Sequence, residues 1–234
     1  MGALFAVSNW RASSPGNTVV SSHRLAAEMA TDVSFLPAMR RRRLSNLSKL
    51  SLRLAQECAP AYQGYCVFGS QHGELATTQT LLESIVQNEV VSPAGFSASV
   101  HNTAVGLHSI NNHNTYPCNS IAAGRDTLAM CFIEAAGLLA NGAEQVLVVY
   151  ADDSVPLPLN EYIEDANVLH GLAALVHAPK AGELAVGLTQ APAQSADIEA
   201  EPLETFMHFL FQQGERHPVF MRGETLDWRW QYHD

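Results

Sequence analysis

Ser120-Ile-Ala-Ala-Gly-Arg-Asp-Thr127 is a turn of small residues that opens an apolar helix predicted to end near Asn141, and a strand predicted over 145–150 follows at once. A strand, a tight turn, a helix and a second strand form the layout that presents a nucleophile at a helix N-terminus, where backbone N–H groups point at it. The tip of the turn, Ala122-Ala-Gly-Arg125, carries no cysteine or serine. The layout therefore predicts a nucleophile elbow without its reactive atom, which indicates a degenerate enzyme subunit.

Strands and helices alternate along the rest of the chain, as apolar runs and three- and four-residue spacings indicate. Predicted strands cover 4–10, 65–69, 145–150, 172–177 and 184–189. Predicted helices cover 38–55, 75–86, 119–141 and 203–212, with a helix or turn-helix over 96–110. This alternation predicts an α/β fold with a mixed sheet and flanking helices.

A single domain accounts for the whole chain. Its 234 residues are enough to bury a substantial core, so we assign 1–234 to one domain. Within it, 191–234 is a C-terminal extension that contains a Pro/Ala/Gln/Ser linker and the aromatic segment Trp228-Arg-Trp-Gln-Tyr232. We expect strands 172–177 and 184–189 to form a pair joined across a short Pro/Gly connection.

The charge of the chain limits its partners. Thirteen basic and twenty-three acidic residues give a net charge of -10, which argues against a nucleic-acid partner or an anionic membrane surface. Charged residues make up 15% of the chain, below the roughly 25% of an average domain. Either a partner covers part of the surface or the core is large, and both interpretations stay open.

Cysteine usage and motifs indicate an intracellular protein without a metal or a cofactor. Cys58, Cys66, Cys118 and Cys131 have no CxxC spacing, and they are expected to be reduced thiols in a cytoplasmic protein. The glycine-rich phosphate loops and the HExxH helix are both missing. The N-terminus has no basic region before its short apolar run, and no apolar stretch approaches the roughly 18 residues of a membrane span.

Two further features could carry function. Cys118 precedes the turn and could act as an activated thiol with His101 or His108, or it could lie in the strand that leads into the turn. The first interpretation would make the chain a free-standing acyltransferase or thioesterase. The basic run Arg40–Arg43 is unfavourable at a helix start, so it either meets an acidic ligand such as an acyl carrier protein or forms a solvated helix face.

Two segments resemble the N-terminal half of the β-ketoacyl synthase family, which has the thiolase fold. Met39-Arg-Arg-Arg-Arg-Leu-Ser-Asn-Leu-Ser-Lys-Leu-Ser-Leu-Arg-Leu-Ala55 is similar to the family's Arg-Arg-Met-Asp-Arg-Phe helix, and Asn141-Gly-Ala-Glu-Gln-Val-Leu-Val-Val149 is similar to the segment after its nucleophile helix. Counting back from Gly142 places the family's active-site cysteine at Arg125, whereas counting from Tyr116 places it near Ala122. Neither residue is a nucleophile.

Three further segments resemble the short chain-length-factor-like proteins of aryl polyene and related type II polyketide systems. They are Phe68-Gly-Ser-Gln-His-Gly-Glu74, Ser92-Pro-Ala-Gly-Phe-Ser-Ala-Ser-Val-His-Asn102 and Trp228-Arg-Trp230. The His-Gly-Thr-Gly-Thr and Asn-His-x-Phe-Gly motifs, which supply the decarboxylating histidines of full ketosynthases, are missing. A condensing enzyme needs both a thiol and these histidines, so the resemblance implies that the chain condenses nothing alone.

The resemblance implies a non-catalytic chain length factor that pairs with a full-length ketosynthase and meets the acyl carrier protein through that complex. A strand around 114–119 would join its equivalent across the dimer axis, and the subunit would shape the acyl tunnel. The candidate tunnel or interface residues are Phe96, Val100, Thr115, Tyr116, Cys118, Met130 and Phe132. A purely stabilising subunit without a tunnel role is the remaining alternative.

Overall fold

A computed structural model describes residues 2–14, 30–163, 168–192, 202–212 and 217–234. Eight strands of these residues form a mixed sheet in the order β3-β2-β4-β5-β1-β6-β8-β7. The strands are β1 (Gly2–Ser13), β2 (Tyr65–Gly69), β3 (Cys118–Ile121), β4 (Gln145–Asp152), β5 (His170–His177), β6 (Ala185–Ala191), β7 (Val219–Met221) and β8 (Asp227–His233). β2 is parallel to both β3 and β4, and every other neighbouring pair is antiparallel.

Seven α-helices accompany the sheet in the described part of the chain. They are α1 (Ala38–Arg41), α2 (Asn46–Cys58), α3 (Leu75–Val86), α4 (Pro93–Ala98), α5 (Thr103–Asn112), α6 (Thr127–Ala140) and α7 (Pro202–Phe211). Short 3₁₀ turns cover Gly124–Asp126 and Leu159–Tyr162.

β4 shows why the sheet is covered on both faces. Its residues from 146 to 152 are all buried, as expected for an apolar strand between two layers. Because successive side chains of a strand point to opposite faces, Val146 and Val148 pack with α6 and α7, whereas Leu147 and Val149 pack with α2 and α5. The sheet therefore separates two hydrophobic cores, which matches the predicted α/β arrangement.

The C-terminal residues complete the larger of these cores. The Phe132 ring on α6 stacks on Phe5 at a centroid distance of 5.0 Å and meets the Trp230 indole edge-on at 5.4 Å. Phe206 on α7 lies 4.3 Å from Trp230. Such aromatic pairs contribute roughly 0.5–1.5 kcal/mol each beyond the area that they bury. Residues 202–212 and 217–234 thus belong to the same sheet and core as the described residues before them.

Two predicted helices divide in the structure. The run predicted as one helix over 38–55 is α1 and α2, because Ser45 Oγ accepts a hydrogen bond from Ser48 N at 2.9 Å and caps a new helix. The turn-helix predicted over 96–110 is realised as α4 and α5. The helix predicted over 75–86 is confirmed with those bounds.

The expected pairing of strands 172–177 and 184–189 is wrong. β1 lies between β5 and β6 and pairs antiparallel with both of them. β1 is twelve residues long, so its part from Ala6 to Ser13 takes β5 as a partner and its first four residues take β6. The two strands that follow each other in sequence therefore lie one strand apart.

Candidate functional site

The strand, turn and helix predicted around 120–127 are present, but the helix begins later than expected. Residues 118–121 form strand β3, a 3₁₀ turn follows at Gly124–Asp126, and α6 starts at Thr127 rather than at 119. Thr127 Oγ1 accepts a hydrogen bond from Ala123 N at 2.9 Å and donates one to Gly124 O at 2.7 Å. This side chain fixes the turn and delays the helix. The tip consists of Ala122, Ala123, Gly124 and Arg125, and none of the four can act as a nucleophile.

A carboxylate from the C-terminal hairpin occupies the N–H side of the elbow. Arg125 N donates to Glu224 Oε1 at 2.9 Å. In return, Asp126 Oδ1 accepts from Trp228 Nε1 at 2.7 Å and from Glu224 N at 3.3 Å. A helix N-terminus favours negative charge, so the Glu224 carboxylate is favourably placed beside the N–H of Arg125. We call these contacts the elbow clasp.

Two glycines allow the elbow clasp to form. Gly124 has a φ of +55°, and a Cβ there would overlap Glu224 Oε1. A Cβ at Gly223 would overlap Asp126 Oδ1 and Leu226 O. Sequence reasoning missed the clasp because it joins residues about a hundred positions apart, and an isolated glutamate in a turn carries no signal of its partner.

A small cleft adjoins the elbow, at the carboxyl ends of β2 and β4. Arg125, His72, Tyr150 and His170 are among the residues that line it. The buried carboxylate of Asp152 lies here, and its Oδ1 accepts from Ser70 Oγ at 2.6 Å and from Gln71 N at 2.8 Å. Asp152 therefore orders the loop that contains the 68–74 segment.

His101 joins this loop to the end of β3. Its Nε2 lies 2.8 Å from Ser70 O, which can only accept, so Nε2 carries the proton. Its Nδ1 lies 2.7 Å from Ser120 Oγ, which therefore donates to it. Both ring nitrogens are thus engaged, one by the backbone carbonyl of Ser70 and the other by the side chain of Ser120, and Cys118 is not a partner of His101.

His108 does not serve Cys118 either. Its Nε2 accepts from Asn112 Nδ2 at 2.9 Å, and its Nδ1 lies 3.8 Å from Cys66 Sγ. Burial lowers the pKa of His108 from 6.5 to about 4, so the ring is neutral at pH 7. The proposed pairing of Cys118 with His101 or His108 is therefore absent among the described residues.

Cys118 lies in β3 and has hydrogen-bond donors instead of a general base. Ser109 Oγ donates to its sulfur at 3.4 Å and Asn114 Nδ2 at 3.3 Å. A hydrogen bond from Cys66, together with these donors, lowers the pKa of Cys118 from 9.0 to about 6 although partial burial opposes the shift. The thiol ionises readily, but no group beside it is placed to move a proton for acyl transfer.

The tunnel and interface candidates lie in different environments. Phe96, Val100, Thr115 and Tyr116 are exposed, and Met130 is partly buried against the α6 core. Phe132 has no exposed area, and its packing between aromatic rings favours a core role. The tunnel role of these residues stays a prediction, and the packing gives it no support at Phe132.

One stretch of the chain carries half of the large exposed hydrophobic side chains, and its last helix, α5, packs against β3. Eight of the sixteen large hydrophobic side chains that are exposed in the described residues fall between 82 and 116. We call these eight the apolar flank: Leu82, Ile85, Val86, Val90, Phe96, Val100, Ile110 and Tyr116. α3 belongs to it and has no buried residue at all, although its sequence is apolar. A concentration of this kind marks an interaction surface.

The edge of the sheet next to the apolar flank is open in the described part of the chain, because β3 is the outermost strand there. The carbonyls of Pro117 and Ile121 accept from Cys66 N and Ser70 N of β2. Since alternate residues of a strand turn their backbone groups to opposite sides, Cys118 and Ser120 direct N–H and C=O away from β2. These groups can receive another strand.

Neither a metal site nor a membrane span is found in the residues that the structure describes. No group of three or more His, Cys, Asp and Glu side chains there is arranged to hold a metal ion. None of the helices in the same ranges combines the length and the apolar character needed to cross a bilayer.

Sequence and structure comparisons give a consistent picture. A sequence model of the family "β-ketoacyl synthase, N-terminal domain" matches residues 10–231. No curated protein matches the chain. The structure of a ketosynthase (ApeO) in complex with its chain length factor (ApeC) from Xenorhabdus doucetiae contains a chain with a TM-score of 0.81 and 24% identity, covering 97% of this chain and 98% of that one.

Two further solved structures are similar over less of the chain. The ishigamide ketosynthase/chain length factor matches with a TM-score of 0.63 and 16% identity, over 89% of this chain and 73% of that chain. A β-ketoacyl synthase from Burkholderia phymatum matches with a TM-score of 0.51 and 12% identity, over 70% and 52%. At these identities the likeness establishes the fold.

Proposed function

The chain belongs to the family of β-ketoacyl synthase N-terminal domains, and from this premise we propose that it is a non-catalytic chain length factor. In this role it pairs with a full-length ketosynthase, which supplies the thiol and the histidines. This subunit contributes a wall of the tunnel into which the growing acyl chain extends. The products are polyene or fatty-acid-like chains.

The residues of the elbow support the proposal that this subunit does not catalyse condensation. A condensing enzyme holds the acyl chain on a thiol at the elbow and stabilises negative charge with the N–H groups there. Here the tip has no thiol, and Glu224 Oε1 accepts from Arg125 N at 2.9 Å. A carboxylate at that place repels an oxyanion, so the elbow serves as a structural joint.

The observation that carries the proposal is the uncovered face of α3. Helices on protein surfaces bury their apolar side, yet Leu82 and Ile85 are 56% and 57% exposed and Val86 is 81% exposed. Because α5, the last helix of the stretch 82–116, packs against the open edge strand β3, one partner can cover apolar residues of the stretch and add a strand to the sheet. A ketosynthase with the same fold offers an equivalent strand for this pairing.

The comparisons support the choice of partner. The Xenorhabdus structure is that of a ketosynthase with its chain length factor, and this chain spans 98% of the chain that it matches there. The ishigamide structure is likewise that of a ketosynthase/chain length factor.

The acyl carrier protein would meet the assembled complex. Arg40, Arg42 and Arg43 are exposed at α1, and together with Arg41 they supply four of the thirteen basic residues of a chain whose net charge is -10. This basic surface suits an acidic carrier protein. In the proposed function, this basic surface serves the delivery of acyl groups by the carrier protein and has no part in the tunnel.

Co-purification tests the pairing. The tagged chain is co-expressed with a full-length ketosynthase from the same genome, and we expect a stable complex that Ile85→Glu weakens at least tenfold, because a charge would be buried against the partner. Phe211→Glu, at an exposed apolar residue on the opposite layer, is the matched control and should leave the complex intact.

Two results would overturn the proposal. One is a wild-type chain that stays monomeric beside the ketosynthase. The other is turnover of acyl thioesters by the purified chain that is lost in Cys118→Ser, which would make it a free-standing acyltransferase or thioesterase.

A further inference from the structure

Cys66 and Cys118 are direct cross-strand neighbours. They are register partners in the parallel pair β2 and β3, so their side chains lie on the same face of the sheet. Adjacent strands are about 4.8 Å apart, which falls within the Cα separation that a disulfide bond accepts. Asn114 Nδ2 lies 3.3 Å from Cys118 Sγ and 3.6 Å from Cys66 Sγ, so one amide group contacts both sulfurs.

The two thiols differ in exposure and in ionisation. An exposed, ionised thiol can react with an oxidant, and a buried, protonated one can then form the disulfide with it. Cys118 is partly exposed on the outermost strand and receives hydrogen bonds from Ser109 and Asn114, which stabilise a thiolate. Cys66 has no exposed area. The hydrogen bond to Cys118 and burial both raise the pKa of Cys66, so Cys66 stays protonated while Cys118 ionises.

We propose that Cys118 and Cys66 form an oxidisable dithiol, in which a peroxide oxidises Cys118 and Cys66 resolves the product to a disulfide. The Cys118 thiolate attacks one peroxide oxygen; an S–O bond forms, the O–O bond breaks, and hydroxide leaves. The Cys66 sulfur then attacks Cys118 Sγ; an S–S bond forms, the S–O bond breaks, and the hydroxyl group leaves with the Cys66 proton as water. Two electrons pass from the thiols to the peroxide.

The proposed dithiol does not rest on the proposed pairing with a ketosynthase. Cys118 nevertheless lies at the sheet edge where a partner strand would bind. Cys118 is one of the two residues whose backbone faces the open edge of the sheet. In the isolated chain, peroxide reaches Cys118 from this edge, and a partner strand at the same edge would shield it. Oxidation is therefore a property of the unassembled subunit.

The other cysteines provide internal controls. Burial raises the pKa of Cys58 to about 12, and Cys131 has no exposed area and a pKa that burial also raises. Neither has a second cysteine as a register partner in the sheet. Both should stay reduced under conditions that oxidise the dithiol.

Peptide mapping of the purified, reduced full chain tests the proposal. After treatment with a small excess of hydrogen peroxide, we expect a linked pair of peptides containing Cys66 and Cys118, the loss of two hydrogens in the intact mass, and unmodified Cys58 and Cys131. Dithiothreitol should restore the starting mass.

Variants separate the two roles. In Cys66→Ser, the oxidation should stop at a sulfenic acid on Cys118 that dimedone traps, whereas Cys118→Ser should leave Cys66 reduced. Ser109→Ala, which removes one donor from the Cys118 sulfur, should slow the reaction several-fold. Wild-type protein that accumulates oxidised Cys118 without the linked peptides would show that Cys66 does not resolve it, and equal oxidation of Cys58 would show that the pair has no special reactivity.

Discussion

Glu224 determines the character of the elbow. Its carboxylate accepts from Arg125 N, while its own backbone N–H reaches Asp126 Oδ1 at 3.3 Å. The absence of a nucleophile from the tip follows from the sequence alone, because it depends only on which residues stand at 122–125. The role of this turn as a degenerate elbow stays a prediction. The filling of its N–H side depends on a turn from the other end of the chain, which neither spacing nor composition indicates.

Removing this carboxylate should destabilise the fold without any effect on chemistry. We expect Glu224→Ala to lower the free energy of unfolding by roughly 0.5–1 kcal/mol, because a first-turn N–H loses its charged acceptor. Glu224→Gln should lose less, since it keeps an acceptor oxygen. Urea unfolding measures both variants, and Glu144→Ala, which changes an exposed acid elsewhere, should leave the midpoint unchanged.

His108 makes stability depend on pH. Burial lowers its pKa from 6.5 to about 4 in the folded chain. Between these two values the unfolded chain binds more protons than the folded chain, so stability falls as the pH falls below 6.5 and the loss is complete near pH 4. The full loss is on the order of 3 kcal/mol.

The matched substitution is His108→Gln, which has no group that titrates in this window and keeps an acceptor for Asn112. We expect its unfolding free energy to vary less between pH 7 and pH 5 than that of the wild type, as measured by urea titration at each pH. His217→Gln, at an exposed histidine, should retain the wild-type slope. A wild-type slope in His108→Gln would assign the pH dependence to other groups.

Among the elements of the described chain, β3 matters most for assembly, because it is the outermost strand on its side of the sheet. Its inner groups pair with β2, and its outer groups at Cys118 and Ser120 are available to a partner. A strand of four residues is short for such a role, but pairing with an equivalent strand would extend one sheet through both subunits.

Ser120→Pro tests this pairing directly, because proline removes the outward N–H while the residues on either side keep their bonds to β2. We expect the affinity for the ketosynthase to fall at least tenfold. Ser120→Ala is the control: it loses the same hydroxyl contact with His101 but keeps the N–H, and it should still bind. Equal binding by the two variants would mean that β3 does not pair across the interface.

Elements were predictable where a local pattern decides them. α3 was predicted with its observed bounds because its apolar residues recur at helical spacing. Its lack of buried residues was not predictable, since periodicity identifies an apolar face but not what covers it. The division of 38–55 depends on one Ser45 cap, and the place of β1 between β5 and β6 depends on contacts that span most of the chain.

At the scale of the whole molecule, the family and the thiolase-like fold expected from five short segments are confirmed. The tunnel role stays a prediction. Val100 is the most direct test, since it belongs to the apolar flank and is 45% exposed, so a larger side chain can be accommodated in the isolated chain.

Val100→Trp should shorten the product of the reconstituted complex. The larger side chain would occupy part of the tunnel and leave less space for the growing acyl chain. Mass spectrometry of the released acyl chains measures this, and Phe211→Trp is the control on the opposite layer. An unchanged product from an intact complex would remove Val100 from the tunnel and favour a stabilising role for this surface.

The position of β1 affects how the chain folds while the ribosome synthesises it. Its two neighbours in the sheet are β5 and β6, so Ala6 pairs with His177 and Gly2 pairs with Thr189. β1 leaves the ribosome before the other described strands, and its partners β5 and β6 begin only at His170 and Ala185. Contacts so distant in sequence slow folding, and the nascent chain must hold an unpaired apolar strand until then. We therefore expect the sheet to close late in translation or after it, with the subunit dependent on chaperones during that interval.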